Sequence, residues 1–142
     1  MKNLKLHFLV HCLWIAAIAH AQEPRWVKNA GGAQADGGYA VTLDTAANVY
    51  FTGYLNSASV SFGGGAYTHT QKGGNDIFIC KYDSSGNYIW AKTWGGKQAD
   101  RGLGIVADKQ GYVYVTGYFR DTIEFNPGSA TNRLVSKGGD DV

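Results

Sequence analysis

The sequence predicts an all-β fold, and three observations carry that expectation. A segment from Trp26 to Leu55 is written a second time, 64 residues on, as Trp90 to Phe119. Short runs of β-branched and aromatic residues alternate with glycine-marked turns, and no helical period of useful length follows the first twenty-one residues. The runs are also apolar on both sides: Val49, Phe51 and Leu55 share one face, Tyr50 and Tyr54 the other. Strands covered on both faces belong to stacked small sheets. Four antiparallel strands per repeat, each sheet needing a neighbour, describe the blades of a β-propeller.

Residues 1–21 stand apart from that fold. Lys2 and Lys5 precede a mostly apolar run from Leu6 to Ile18, and Ala19-His20-Ala21 is a small-x-small site, so a secretory signal peptide cleaved between Ala21 and Gln22 is expected. Cys12 lies within the apolar run and the residue directly after the cleavage site is Gln22, not Cys, which speaks against a lipoprotein leader. Of thirteen basic residues, Lys2 and Lys5 leave with the leader, so eleven remain against eleven acidic ones. A formally neutral chain has no basic footprint for nucleic acid and no electrostatic attraction to a membrane surface. Cys80 is then alone, and within Ile77-Phe78-Ile79-Cys80 it reads as a small buried hydrophobe.

The strands follow in order over residues 22–142. Trp26 to Ala30 reads as a short strand before the polar loop Gly31 to Gly38. Tyr39 to Leu43 is a second strand, Asp44 to Asn48 a tight turn in which Asp and Asn bond their own backbone, and Val49 to Leu55 a third strand. The long connection Asn56 to Asn75 holds an extended piece at Ser59 to Phe62. Asp76 to Tyr82 and Tyr88 to Trp94 flank the hairpin turn Asp83 to Asn87. Then the pattern restarts, with strands at Gly102 to Ala107 and Val113 to Phe119 and a second long connection from Arg120 to Gly139. Repeat 1 covers about 26–89 and repeat 2 about 90–142. Taking Tyr39–Leu43, Val49–Leu55, Asp76–Tyr82 and Tyr88–Trp94 as strands A to D, the chain holds one complete blade and parts of two others. Trp26 matches Trp90 and so marks an orphan outer strand; Asp140-Asp141-Val142 matches Asn75-Asp76-Ile77, the start of strand C. Since a propeller needs roughly four to eight blades, the expectation is a fragment whose partners include the remaining blades of the same polypeptide.

Gly95-Gly96, Asp100, Gly102, Asp108 and Gly111, followed by Val113-Tyr114-Val115-Thr116-Gly117-Tyr118-Phe119, resemble the bacterial β-propeller repeat known as the SBBP repeat. Gly73-Gly74-Asn75-Asp76-Ile77-Phe78-Ile79, with Lys81-Tyr82-Asp83, Gly86-Asn87 and Trp90-Ala91-Lys92, resemble its second half. The resemblance implies a propeller in an exported bacterial protein, secreted or at the cell surface, and brings no catalytic residues with it. A more distant similarity, from Asp83 through Gly86 to Trp90, is to the tryptophan-docking repeat of quinoprotein dehydrogenases, although Ser85-Gly86-Asn87 departs from the turn expected there.

In an antiparallel meander the long B–C and D–A loops share one edge, which gathers Gln34, Asp36, His69 and Asp76 with Gln98, Asp100, Arg133, Lys137 and Asp141. The recurring Asp36, Asp76, Asp100 and Asp141 are candidate Ca²⁺ ligands, since calcium takes six to eight oxygens from carboxylates and loop carbonyls. The competing reading is that each caps a turn after a Gly-Gly kink, and recurrence in every repeat favours it. Trp26 and Trp90 are expected between neighbouring sheets; Trp94, with Tyr39 and Tyr67, is a candidate stacking platform for a glycan, with core packing the favoured use of these aromatics. One histidine, His69, remains after the leader, and no nucleophile elbow, P-loop or dinucleotide fingerprint occurs. The expected function is a non-catalytic module binding a protein or glycan, with no cofactor required. The alternative is the scaffold of a secreted propeller enzyme, a glycoside hydrolase or quinoprotein dehydrogenase. The leader reading is checked on the exported product: its intact mass should correspond to a chain beginning at Gln22, and a product retaining Met1 to Ala21 would refute it.

Overall fold

The computed structural model describes residues 23–63, 66–125 and 132–142; the leader and its Ala21/Gln22 boundary lie outside them. Among the described residues are β1 (Ala30–Gly32), β2 (Gly37–Leu43), β3 (Val49–Leu55), β4 (Ser59–Phe62), β5 (Ala66–Thr68), β6 (Asp76–Tyr82), β7 (Tyr88–Trp94), β8 (Arg101–Ala107), β9 (Val113–Tyr118), β10 (Thr122–Glu124) and β11 (Arg133–Val135). The fold is all-β. Strands β2-β3-β6-β7 form one antiparallel four-stranded sheet in sequence order, the meander of a complete blade. The ranges expected for β3, β6 and β7 are those observed, and β2 begins two residues earlier, at Gly37.

The β2–β3, β6–β7 and β8–β9 hairpins are each closed by an aspartate that binds its own turn. Oδ1 of Asp44 accepts the amides of Ala46 and Asn48, at 2.9 Å each, and that of Asp83 accepts those of Ser85 and Asn87. Asp108 repeats the arrangement with Gln110 and Tyr112. The side chain and backbone of Asn48 are the first reason the Asp44 carboxyl lies below its ordinary range. Where the turn needs a left-handed residue, Gly86 and Gly111 take φ of 82° and 87°, and Ala47 does so at 59°.

The register sorts the side chains of the sheet onto two faces. On the first lie Val41, Val49, Phe51, Phe78, Cys80, Tyr82 and Ala91, paired across neighbouring strands. Its outer half is roofed by a second sheet, β1-β4-β5. From this roof Val60 and the fully buried Phe62 descend into the core. The Phe62 ring contacts those of Phe51, Phe78, Tyr67 and Tyr88, with centroids 5.7–6.2 Å apart. Cys80 is a free, fully buried thiol in this core, and burial pushes its pKa up to about 12.

The second face meets the next unit. There β8 and β9 pair as a hairpin, and β10 and β11 form a small sheet. Ile77 packs with Phe119 and the fully buried Ile123, with Trp94 at the margin. The bridge Phe119↔Asp141 stands where Leu55↔Asp76 opens the β3–β6 ladder. Trp90 in β7 and Tyr114 in β9 therefore belong to different sheets, as the phase of the repeat requires.

Three expectations are corrected. The strand foreseen at Trp26 to Ala30 is instead β1, which pairs with β4 and not with an outer blade strand. Trp90 sits on the β6–β7 ladder opposite Lys81, whereas Trp26 is held by its ring, 5.6 Å from that of Tyr82 and donating Nε1 to the Ser84 carbonyl at 3.4 Å. Trp90 itself packs across its own sheet against Tyr50, with centroids 6.2 Å apart, and not between sheets. Lastly, the extended piece at Ser59 to Phe62 is half of a hairpin whose other half, β5, the sequence reading omitted.

The close approach of β2 to β3 and of β8 to β9 gives a test. A Cβ on Gly53 would stand 1.9 Å from the Gly37 carbonyl oxygen, and one on Gly117 2.0 Å from that of Arg101. Gly53→Ala and Gly117→Ala should each lower stability by about 2–3 kcal/mol in urea unfolding. A neutral result at Gly53 would show that the strands do not approach in this way.

Candidate binding site

The long-loop edge of the two units is organised by the aspartates that recur. Oδ1 of Asp36 accepts the amides of Asn56 (2.8 Å) and Ser57 (3.0 Å); Oδ2 accepts the amide of Gly32 (2.7 Å) and the Ser57 hydroxyl (2.8 Å). One carboxylate thus joins the end of β1 to the exit of β3. At the matching place Asp100 accepts the amides of Gly96 (2.7 Å) and Arg120 (2.9 Å), and its own amide donates to the Asn75 carbonyl at 2.7 Å. Asp76 and Asp141 repeat a third arrangement, accepting the amides of Lys72 (3.3 Å) and Lys137 (2.8 Å). All four candidate calcium ligands hold backbone amides. Among the described residues no three His, Cys, Asp or Glu side chains converge as a metal site would need.

Equivalent positions differ in their electrostatics. Burial opposes ionisation of Asp36, but hydrogen bonds from Ser57, Asn56 and Gly32 outweigh it and hold the carboxyl below its ordinary range. Asp100 is fully buried, and burial pushes its carboxyl up despite the amides of Arg120 and Gly96, with Asp76 and Asp121 adding to the rise.

His69 is buried at the same edge. Its Nδ1 lies 3.0 Å from Thr93 Oγ1, and its Nε2 lies 2.8 Å from Oδ2 of the fully buried Asp76, a close contact poorly aligned for a hydrogen bond. Of the two uses weighed for the aromatics, Trp94 and Tyr67 take core packing. Trp94 donates Nε1 to the Phe125 carbonyl (2.8 Å) and packs on the Ile77 cluster, while Tyr67 packs against Phe62. Tyr39 remains half-exposed, leaning on Tyr54 and accepting a hydrogen bond from Arg101 Nη1 at 3.0 Å.

What the edge presents outward is a polar cleft of about 520 Å³ between the Gly95-Gly96 turn and the β10–β11 hairpin. Lys72, Lys97 and Arg133 line it with Asp121, Thr122 and Glu124. Among the described residues none of the three cations is ion-paired. Gly96 lets the turn lie against β10 at the wall of the cleft: a Cβ there would stand 2.3 Å from the Thr122 carbonyl oxygen. Sequence reasoning placed Arg133 on this edge but passed over Lys72, Lys97, Thr122 and Glu124. The available signal was Lys97, which stands where the first repeat has Ala33.

The opposite shifts of the paired aspartates are testable. A depressed carboxyl contributes stability above its unfolded pKa and loses it as pH falls through the folded value; a raised one acts in the reverse sense. Asp36→Ala should therefore cost about 2 kcal/mol at neutral pH, a penalty that shrinks below the ordinary carboxylate range. Carboxyl carbon-13 titration should find Asp100 titrating above Asp36. Equal or reversed midpoints would sink this account of the loops.

The curated proteins include one relative, an uncharacterised WD repeat-containing protein of Acanthamoeba polyphaga mimivirus, 28% identical over 125 residues. The match takes in 78% of this chain, which spans about 9% of that relative's length. No protein-family model matches the chain, and no solved structure matches it. The chain is thus similar to a repeat protein of viral origin, a likeness that supports repeated β-structure.

Proposed function

We propose that the chain is part of an exported, non-catalytic β-propeller interaction module, assembled from repeats of the SBBP kind and working outside the cell or at its surface. The observation that carries this reading is the division of labour on the long-loop edge. The groups capable of acid–base work, His69, Asp76 and Asp100, are buried and engaged in holding loops, whereas Lys72, Lys97 and Arg133 are left around an open cleft. Such an arrangement recognises a partner by charge and shape; it does not activate one. The name of the mimiviral relative, a WD repeat-containing protein, is in keeping with a repeat module.

Three cations against two carboxylates favour a partner that presents carboxylates, on a glycan or a protein. Polygalacturonate and neutral dextran are suitable probes. The exported chain should be retarded in affinity electrophoresis through polygalacturonate and run freely through dextran, with retardation falling as salt rises. The double variant Lys97→Ala/Arg133→Ala should weaken binding by about tenfold, on the order of 1 kcal/mol. Equal retardation by the two polymers, or a double variant that binds as the parent does, would refute the cleft as the recognition site.

A further inference from the structure

The second repeat lacks a side chain with which the first fills its long-loop edge. In the first unit Gln71 turns its carboxamide into the loop: Nε2 donates to Asn56 Oδ1 (2.8 Å) and to the carbonyls of Gly73 (3.3 Å) and Gly74 (3.2 Å). The equivalent residue, 65 positions on, is Ser136. Its neighbours match in sequence and in geometry, since Gly138-Gly139 stand for Gly73-Gly74 and the Lys137 amide binds Asp141 as the Lys72 amide binds Asp76.

Serine is too short to take the place of glutamine, and its polar groups are already engaged. Ser136 Oγ accepts the amide of Asp121 at 3.0 Å, and the Ser136 amide donates to the Asp121 carbonyl at 2.7 Å. Asn56 is likewise replaced, by Arg120, whose Nε is paired with Asp140 and whose guanidinium lies 6.0 Å from the centre of the Tyr118 ring. The place that Gln71 fills in the first unit is thus open in the second, as a pocket of about 310 Å³ lined by Gln98, Arg120, Asp121, Ser136, Gly138 and Gly139. A following repeat does not supply the missing group. In the first unit the turn from Lys97 to Ala99 closes on Gly73 and Gly74 where a Cβ would stand, 2.1 Å from the Lys97 carbonyl oxygen and 2.8 Å from the Gln98 carbonyl carbon, whereas Gln71 meets the carbonyl oxygens of the same two glycines. A further repeat laid on Gly138-Gly139 in that manner leaves the place of Gln71 empty.

We infer that this pocket binds a primary carboxamide, the side chain of a glutamine carried by a partner polypeptide, in the place that Gln71 takes in the first unit. The template is on the molecule: the same glycine pair already holds a glutamine Nε2 one repeat earlier. Carbonyl oxygens accept and do not donate, so a carboxylate has nothing to offer them. The acetamido group of an amino sugar has one N–H for two acceptors, and a primary carboxamide has two. The pocket adjoins the cationic cleft, Asp121 lining both, but uses neither Lys97 nor Arg133, so the two readings fail independently.

Backbone amide chemical shifts of the full exported chain test it, followed while N-acetylglutamine methylamide is titrated in. The amides from Ser136 to Asp140 should shift saturably. The glutamate and lysine counterparts of the probe, and N-acetylglucosamine, should act on those amides about tenfold more weakly, roughly the worth of one hydrogen bond. Ser136→Gln fills the pocket with the chain's own carboxamide and should abolish the response. Gln71→Ser opens the same place in the first unit, so Gly73 and Gly74 should then respond alongside Gly138 and Gly139. The absence of a saturable response to the glutamine probe overturns the inference, as does a response that survives Ser136→Gln. Equal or tighter binding of the lysine probe or of N-acetylglucosamine also overturns it and reassigns the pocket to an ammonium or a glycan. Circular dichroism monitors the fold. If Ser136→Gln unfolds, the probe series on the parent chain still decides, and a folded Gln71→Ser chain whose Gly73 and Gly74 stay silent counts against the pocket equally.

Discussion

The architecture depends on Asp100. Its amide binds the carbonyl of Asn75, just before β6; its carboxylate binds the amides of Gly96, just after β7, and Arg120, just after β9. Three segments from two repeats thus meet on one fully buried residue, and the angle between the units follows from where they are pinned. Asp76 lies directly beneath: a Cβ on Gly95 would stand 2.0 Å from its Oδ1, so glycine is needed for the chain to turn over a buried carboxylate. The placement of two carboxyl groups close together is tolerated because the protein surrounds them with amides and His69, and because the environment of Asp100 favours its neutral form more than water does.

Departures from the repeat locate what is particular to each place. Asp36 has four hydrogen-bond donors where Asp100 has two on its carboxylate, and it faces solvent on one side, so the same residue in the same turn is a settled anion in one unit and a reluctant one in the next. Arg101 replaces Gly37 and reaches back to Tyr39 and Tyr54 of the preceding unit. Lys97 replaces Ala33 and opens into the cleft. Matched positions build the frame; unmatched ones carry the electrostatics by which one unit differs from another.

Much of this frame was legible because it is local. Val49 to Leu55, Asp76 to Tyr82 and Tyr88 to Trp94 announce themselves through β-branched and aromatic residues, and the Asp44, Asp83 and Asp108 turns through side chains that bind amides two and four residues on. What escaped was settled by contacts distant in sequence. Trp26 and Trp90 are the same residue in the same local context, yet one is a strand residue and the other a ring resting on Tyr82. Trp94 has Phe125 and the Ile77 cluster as partners, and nothing near it in sequence distinguishes that burial from exposure. The cleft was hidden for the same reason, since Lys72 and Lys97 belong to two separate loops and Arg133 opens β11.

The trio Thr93, His69 and Asp76, a hydroxyl, an imidazole and a carboxylate, ties the roof hairpin to the four-stranded sheet. Here His69 is 4% exposed, Asp76 is fully buried, and Thr93 lies half-buried on the face of β7 that the Phe62 core covers. Its effect is on the chain that carries it: the His69 amide bonds the Ala58 carbonyl at 3.1 Å, and its ring fixes the end of the β4–β5 hairpin to β6 and β7. Truncating any of the three leaves another buried polar group without its partner, a cost that falls on the roof over Phe62 and reaches the cleft through Lys72, whose amide binds the same carboxylate. The polar line within the fold and the open charge at its rim are therefore successive parts of one connection, running from the core of the first unit to the surface it shares with the second.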